Sequence, residues 1–122
     1  MKFMIIRTKQ HTSKIQLCDI YYVKSHPTKP HYVEVVTEKK TYDVLEKLQN
    51  IERKYPDCFM RCHRNCLVNP SNITEIHVQD RKIILGDKGE HHVHFARRRY
   101  QDLVAHWLNK GEIEDGTICI GR

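Results

Sequence analysis

The chain has 122 residues, 21 basic and 15 acidic side chains, and a formal net charge of +6. That length suits one domain with a real core, and 30% charged with 39% hydrophobic residues excludes a disordered chain. No apolar run nears the ~18 residues of a membrane span, and no secretory leader is expected before the first strand-like stretch, so the expectation is a small basic cytoplasmic domain with no membrane span, whose charge suggests a polyanionic partner without separating nucleic acid from a membrane surface.

Residues 2–7, 14–17, 20–24 and 32–37 are rich in Ile, Val and Tyr and predict strands. Between the last two, Pro27 and Pro30 forbid regular structure and predict an exposed, stiff loop. Residues 39–42 are expected to return as a hairpin arm. Residues 43–54 predict the first helix: Asp43 with Glu46 has the capping-box pattern, and Val44, Leu45, Leu48 and Ile51 form one apolar face. Tyr55-Pro56 ends it. Strands resume over 59–62 and 66–69, then a Pro70-Ser71-Asn72 turn, then 73–78. Residues 82–85 and 91–95 flank Gly86-Asp87-Lys88-Gly89, a hairpin whose glycines supply positive φ. Residues 97–109 predict the second helix. There Tyr100, Leu103, Val104, Trp107 and Leu108 follow the i, i+3, i+4, i+7, i+8 template, which fits packing against a sheet. The domain is expected over 1–110, with a short acidic tail over 111–122.

Five cysteines, an odd count without a leader, argue for reduced thiols in a reducing compartment. Cys58, Cys62 and Cys66 are spaced by four around His63. Even spacing puts them on one face of a strand, where free Cys behaves as a small buried hydrophobe. A zinc site usually adds a second pair well downstream, and no second Cys pair follows. Core thiols are therefore the first reading. A thiol- or zinc-dependent sensor using Cys58, Cys62, Cys66 and His91, His92 and His94 is the alternative.

The acids are unevenly spread. Residues 20–33, 58–74 and 91–101 contain none, yet hold Lys24, Lys29, Arg61, Arg64, Arg97, Arg98 and Arg99 with six of the nine histidines. The tail holds three acids and one base, so the first 110 residues carry +8. Arg97-Arg98-Arg99 opens the second predicted helix, where the macrodipole disfavours each cation by about 0.3–1 kcal/mol. A docked phosphate, held by guanidinium forks and free N–H groups, accounts for that placement; a solvated charge run is the plainer reading. Arg61, Arg64 and Asn65 lie between two short strands, and Arg and Asn forks match guanine and adenine edges in the major groove. His31, just past the proline loop, has ring nitrogens to offer a base or phosphate, against a structural or merely exposed role.

The stretch Phe59-Met60-Arg61-Cys62-His63-Arg64-Asn65-Cys66-Leu67-Val68-Asn69, followed by Ile73-Thr74-Glu75-Ile76, resembles the LytTR family, DNA-binding domains of bacterial response regulators. Ile20-Tyr21-Tyr22-Val23 before Ser25, His31 before Tyr32, and Ala96-Arg97 after the last strand fall in the same order. The likeness covers roughly residues 2–105. It is greatest to the branch controlling quorum sensing, competence and bacteriocin production. The resemblance implies a mainly β, elongated antiparallel fold of small packed sheets, with a short helix among them and a C-terminal helix. It implies loops entering successive major grooves of a direct-repeat promoter site, with the protein a dimer on double-stranded DNA. Its base-reading positions map onto His31, Arg64 and Arg97; Lys29, Arg61, Asn65, Arg98 and Arg99 are the backbone or auxiliary contacts, and His63 is support. Some relatives carry Asn where Arg64 stands, and Arg favours guanine where Asn favours adenine. The expected function is a transcription regulator without catalysis, metal or cofactor. A receiver domain would precede the match in a full response regulator, so the chain reads as an excised effector domain or a free-standing regulator.

Overall fold

The computed structural model describes residues 2–109; the tail expected over 111–122 and Cys119 lie outside the described residues. Strands β1 (Phe3–Arg7) and β2 (Thr12–Gln16) pair as a two-stranded ribbon. Strands β3 (Ile20–Ser25), β4 (Tyr32–Thr37), β5 (Thr41–Leu45), β6 (Met60–His63) and β7 (Cys66–Val68) form a five-stranded sheet in the order β5-β4-β3-β7-β6. Helix α1 (Leu48–Lys54) links β5 to β6. Strands β8 (Ile73–His77), β9 (Lys82–Leu85) and β10 (His91–His94) make a three-stranded meander, and a 3-10 turn (Arg97–Arg99) leads into helix α2 (Tyr100–Leu108). Every strand pairing is antiparallel among the described residues. The expected mainly β architecture of small sheets with one internal and one C-terminal helix is what the chain forms. None of its described helices is long and apolar enough to cross a membrane.

Strand β3, in the middle of the central sheet, is buried on both faces over Ile20–Val23, which is why it reads as an unbroken apolar run rather than an alternation. A bulge between Ile20 and Tyr22 breaks the two-residue period. Ile20 and Val23 consequently join one core, while Tyr21 and Tyr22 join the other. The first core gathers the β1–β2 ribbon, α1, Phe59 and Leu67. The second gathers the meander, Cys62, Val68, Phe95 and Leu103. Full burial of a side chain such as Leu67 or Ile83 contributes about 1.5–3 kcal/mol.

The first predicted helix needs correction. Asp43 and Val44 are strand residues, paired in β5 with Glu34 and Val33, and the helix starts only at Leu48. Tyr42 and Val44 pack against the first core at strand spacing, whereas Leu45 is 67% exposed. The apparent helical stripe thus splices a two-residue period onto a helical one, with Leu48 and Ile51 alone supplying the buried face. Glu46 closes no box on Asp43. Its carboxylate accepts from the Lys47 N–H and from Asn50 Nδ2, both at 2.8 Å, and the Lys47 bond holds it below the ordinary carboxylate value.

The C-terminal helix meets expectation more closely. Leu103 is fully buried, and Trp107 Nε1 donates to the Ile73 carbonyl at 3.0 Å while its ring packs on the second core. Leu108 lies half exposed at the margin of the stripe. Gly86 and Gly89 have φ of 90° and 65°, the positive values the hairpin requires.

Candidate nucleic-acid interface

Three acid-free segments that are far apart in sequence meet along one edge of the protein. Lys24 pairs with Cys66, so β3 ends where β7 begins, and the Ser25 N–H donates to the Asn65 carbonyl at 3.0 Å. This bond sets the proline loop beside the β6–β7 turn. On the other flank the Ala96 N–H donates to the Cys62 carbonyl at 2.9 Å, bringing the Arg97–Arg99 turn against β6. Arg99 Nη1 adds a 3.5 Å contact to the Arg61 carbonyl.

The proline loop is held from inside. His26 Nδ1 accepts from the Thr28 and Lys29 N–H groups at 3.1 and 3.0 Å. With Nδ1 accepting, the neutral ring carries its proton on Nε2, which lies 3.4 Å from Asp43 Oδ1. Lys29 Nζ donates to Asp43 Oδ2 at 2.8 Å. That bond pulls the Asp43 carboxyl below its ordinary value and raises the Lys29 ammonium. His31 sits at the end of the loop, exposed, with φ of 69°, a left-handed conformation that side-chain-bearing residues rarely adopt. The loop thus presents the His31 ring outward while Lys29 is engaged with β5.

At the β6–β7 turn Arg64 and Asn65 are exposed. The Asn65 N–H donates to His63 Nδ1 at 3.4 Å, the supporting role expected of His63. Arg61 points the other way. Its Nη2 donates to Glu52 Oε1 at 2.9 Å and its Nη1 to the Arg64 carbonyl at 2.6 Å, leaving the side chain 18% exposed. Arg61 therefore braces the turn against α1 instead of standing free as a contact. Arg97 and Arg98 are exposed; Arg99 is half-buried, and its Nε is buried without a hydrogen-bond partner. The triplet forms a 3-10 turn ahead of α2, with Arg99 at the cap position.

Asp43 and Glu52 are the residues that sequence reasoning left out of this edge. They reach it through partners 14 and 9 residues away, so no local pattern marks them.

The three evenly spaced cysteines do not share one strand face. Cys62 and Cys66 lie on neighbouring strands across a tight turn, both buried, while Cys58 precedes β6 and is half-buried against the first core. Cys62 Sγ donates to the Cys66 and His94 carbonyls at 3.6 and 3.7 Å. The Cys62 contact and burial together push the Cys66 thiol up. His91 stacks edge-on with Tyr21 at 4.9 Å, and His92 with His94 at 5.8 Å. These cysteines and histidines do not converge as metal ligands among the described residues, so the zinc form of the sensor alternative lacks its ligand set there. The set that does converge is His26, Glu34 and Asp43. It suits a cation poorly: the His26 Nε2 proton faces Asp43, and Lys24 and Lys29 stand 3.6 and 2.8 Å from the two carboxylates.

The family model for the LytTr DNA-binding domain matches residues 10–108. No curated protein matches the chain. Among solved structures, the chain is similar to the LytTr DNA-binding domain of a Bacillus cereus protein described as a methyl-accepting/DNA response regulator. The TM-score is 0.66 at 24% identity, covering 84% of this chain and 95% of that one. At that identity the likeness speaks for the fold, and the family model for the rest. The chain belongs to the LytTr DNA-binding domain family.

Proposed function

We propose that this DNA-binding domain reads a specific double-stranded promoter site for a bacterial transcriptional regulator, as the cytoplasmic effector half of a two-component response regulator. His31, Arg64 and Arg97 read base edges. Asn65, Arg98 and Arg99 contact the backbone, with Arg61 acting from behind as the brace of the turn. Lys29 reaches a phosphate by exchanging Asp43 for it; about half of its side chain is already open to solvent. Phosphate contacts set the register and the three outward side chains supply the sequence preference. A receiver domain in cis promotes dimerisation on a direct-repeat site, and the regulated genes belong to the quorum-sensing, competence or bacteriocin class. No catalytic step is assigned to the domain.

One observation carries this reading. Main-chain hydrogen bonds, Ser25 to Asn65 and Ala96 to Cys62, gather the basic segments on one edge, while Asp43 and Glu52 are paired with Lys29 and Arg61. Selection from a pool of random duplexes, read by sequencing, tests it. A defined motif should emerge, and the logarithm of its affinity should fall with log salt by about 0.9 per phosphate neutralised. A pool that remains random, or an affinity indifferent to salt, overturns the reading.

A further inference from the structure

The basic edge does not stop at the Arg97–Arg99 turn. Beyond it lies an open cleft of about 610 Å³ between the β8–β9 turn and the start of α2. Three arginines line it, Arg81, Arg97 and Arg98, together with the amides of Gln79 and Gln101; Asp102 is its only acid. Phe95 and Tyr100, stacked at 5.8 Å, also line it and give it a rigid apolar part.

Arg81 is fixed toward this cleft by its backbone. The Phe95 N–H donates to the Arg81 carbonyl at 3.0 Å, so the β8–β9 turn is hung directly from the strand end that leads into Arg97. The same residue has φ of 52°, where glycine or asparagine is favoured over a long side chain. The ion pairs of the described residues use none of the three arginines. Exposed guanidinium forks grouped around amide donors are the chemistry of a phosphodiester site.

We propose that this cleft binds a backbone phosphate of the DNA duplex outside the bases read by His31, Arg64 and Arg97, and that Arg81 is its principal new ligand. The inference rests on the DNA-binding reading above and lengthens its footprint onto the three-stranded meander. Arg81 was invisible to the charge pattern because it follows Asp80 in an acid-containing segment.

The test compares the full chain with Arg81→Gly and Arg81→Lys by fluorescence anisotropy on a selected duplex and on a mixed-sequence duplex. Glycine accepts the φ of 52° freely, so the charge is removed with the turn retained. Arg81→Gly should lower the salt slope by about one and weaken both duplexes equally; Arg81→Lys should restore the slope. Trimming base pairs from the end that lies in the cleft should lower the wild-type slope equally and leave Arg81→Gly unaffected. Unchanged melting of each variant assigns the loss to the phosphate. A wild-type slope in Arg81→Gly overturns the proposal while leaving DNA binding intact. So does a variant that keeps its duplex affinity and loses a polyglutamate peptide, which would assign the cleft to an acidic protein. If the wild-type chain binds neither duplex, the DNA reading itself fails, and this site with it.

Discussion

The side-chain amides of Asn69 and Asn72 converge on one oxygen, the carbonyl of Ile20, each at 2.9 Å. Asn69 also donates to the Leu17 carbonyl at 3.1 Å and accepts from the Ser71 N–H at 3.1 Å, and Asn72 donates to the Cys18 carbonyl at 2.8 Å. Two amides thereby satisfy the carbonyls of the turn that enters β3, those of buried Leu17 and Ile20 among them. Replacing Asn69, itself only 2% exposed, with Ala should cost about 1–3 kcal/mol for each group left without a partner. Asn69→Asp should cost more, because it sets a carboxylate against two carbonyl oxygens. Urea unfolding midpoints at constant slope measure both; a midpoint unmoved by Asn69→Ala contradicts the assignment.

Arg64 and Arg61 should separate cleanly despite lying three residues apart. Arg64→Ala should leave melting unchanged, cost about 1–3 kcal/mol on a selected duplex, and blur preference at one base position. Arg61→Ala should weaken all duplexes alike and lower the melting temperature, because the Glu52 pair and the bond to the Arg64 carbonyl go together. Arg61→Lys should not rescue it, since one ammonium does not reproduce a fork held at two places. Equal loss on random and selected duplexes for Arg64→Ala would remove Arg64 from base reading.

Iodoacetamide should distinguish the thiols by position. The thiolate is the reacting form. Cys66 is buried with its thiol pushed up, and Cys62 is fully buried, whereas Cys18 is exposed. Peptide mapping of native protein should therefore find Cys18 alkylated well before Cys62 and Cys66, with all three modified after denaturation. Early labelling of Cys66 contradicts the core assignment.

Stability should have an acid limb. The Asp43 carboxyl is lowered chiefly by its bond with Lys29, and Glu46 and Glu90 chiefly by backbone N–H groups. A lowered folded-state value means the unfolded chain takes up protons first as the pH falls. The stabilisation from these groups is thus complete above their ordinary values of 3.8 for Asp and 4.5 for Glu, and is lost as pH falls through the folded values. Asp43→Asn should flatten part of that limb in melting scans between pH 6 and about 3. It should also loosen the His31 loop, seen as a broader base preference. A scan that overlays the wild type removes the Asp43 tie as a stabilising contact.

Strand positions were legible because their apolar residues face packed sheets at a fixed period, as in β4, where prediction and structure coincide at Tyr32–Thr37. The stretch at 43–54 was not, because Val44 and Leu48 have helical spacing by accident of a strand running into a helix. Pairing with Glu34 and Val33, a long-range condition, decides that segment. The basic edge was visible as three acid-free windows, and the resemblance added which side chains to watch. What local sequence does not encode is orientation. Arg61 and Arg64 look equivalent in a row, and only the position of Glu52 turns one inward. The same holds for Cys62 and Cys66, whose equal spacing conceals a turn between them.

The bonds that gather the basic edge, Ser25 to Asn65, Ala96 to Cys62 and Phe95 to Arg81, all run from main chain to main chain. None depends on which side chains occupy positions 31, 64 and 97. Positions 64 and 97 are therefore free to drift one at a time, with the scaffold neither refolding nor changing the spacing of its outward groups, while position 31 is held to the few residues that accept a φ of 69°. A lineage built on this frame acquires new target sites by small independent steps, and two descendants in the same cell diverge in what they recognise long before they diverge in shape.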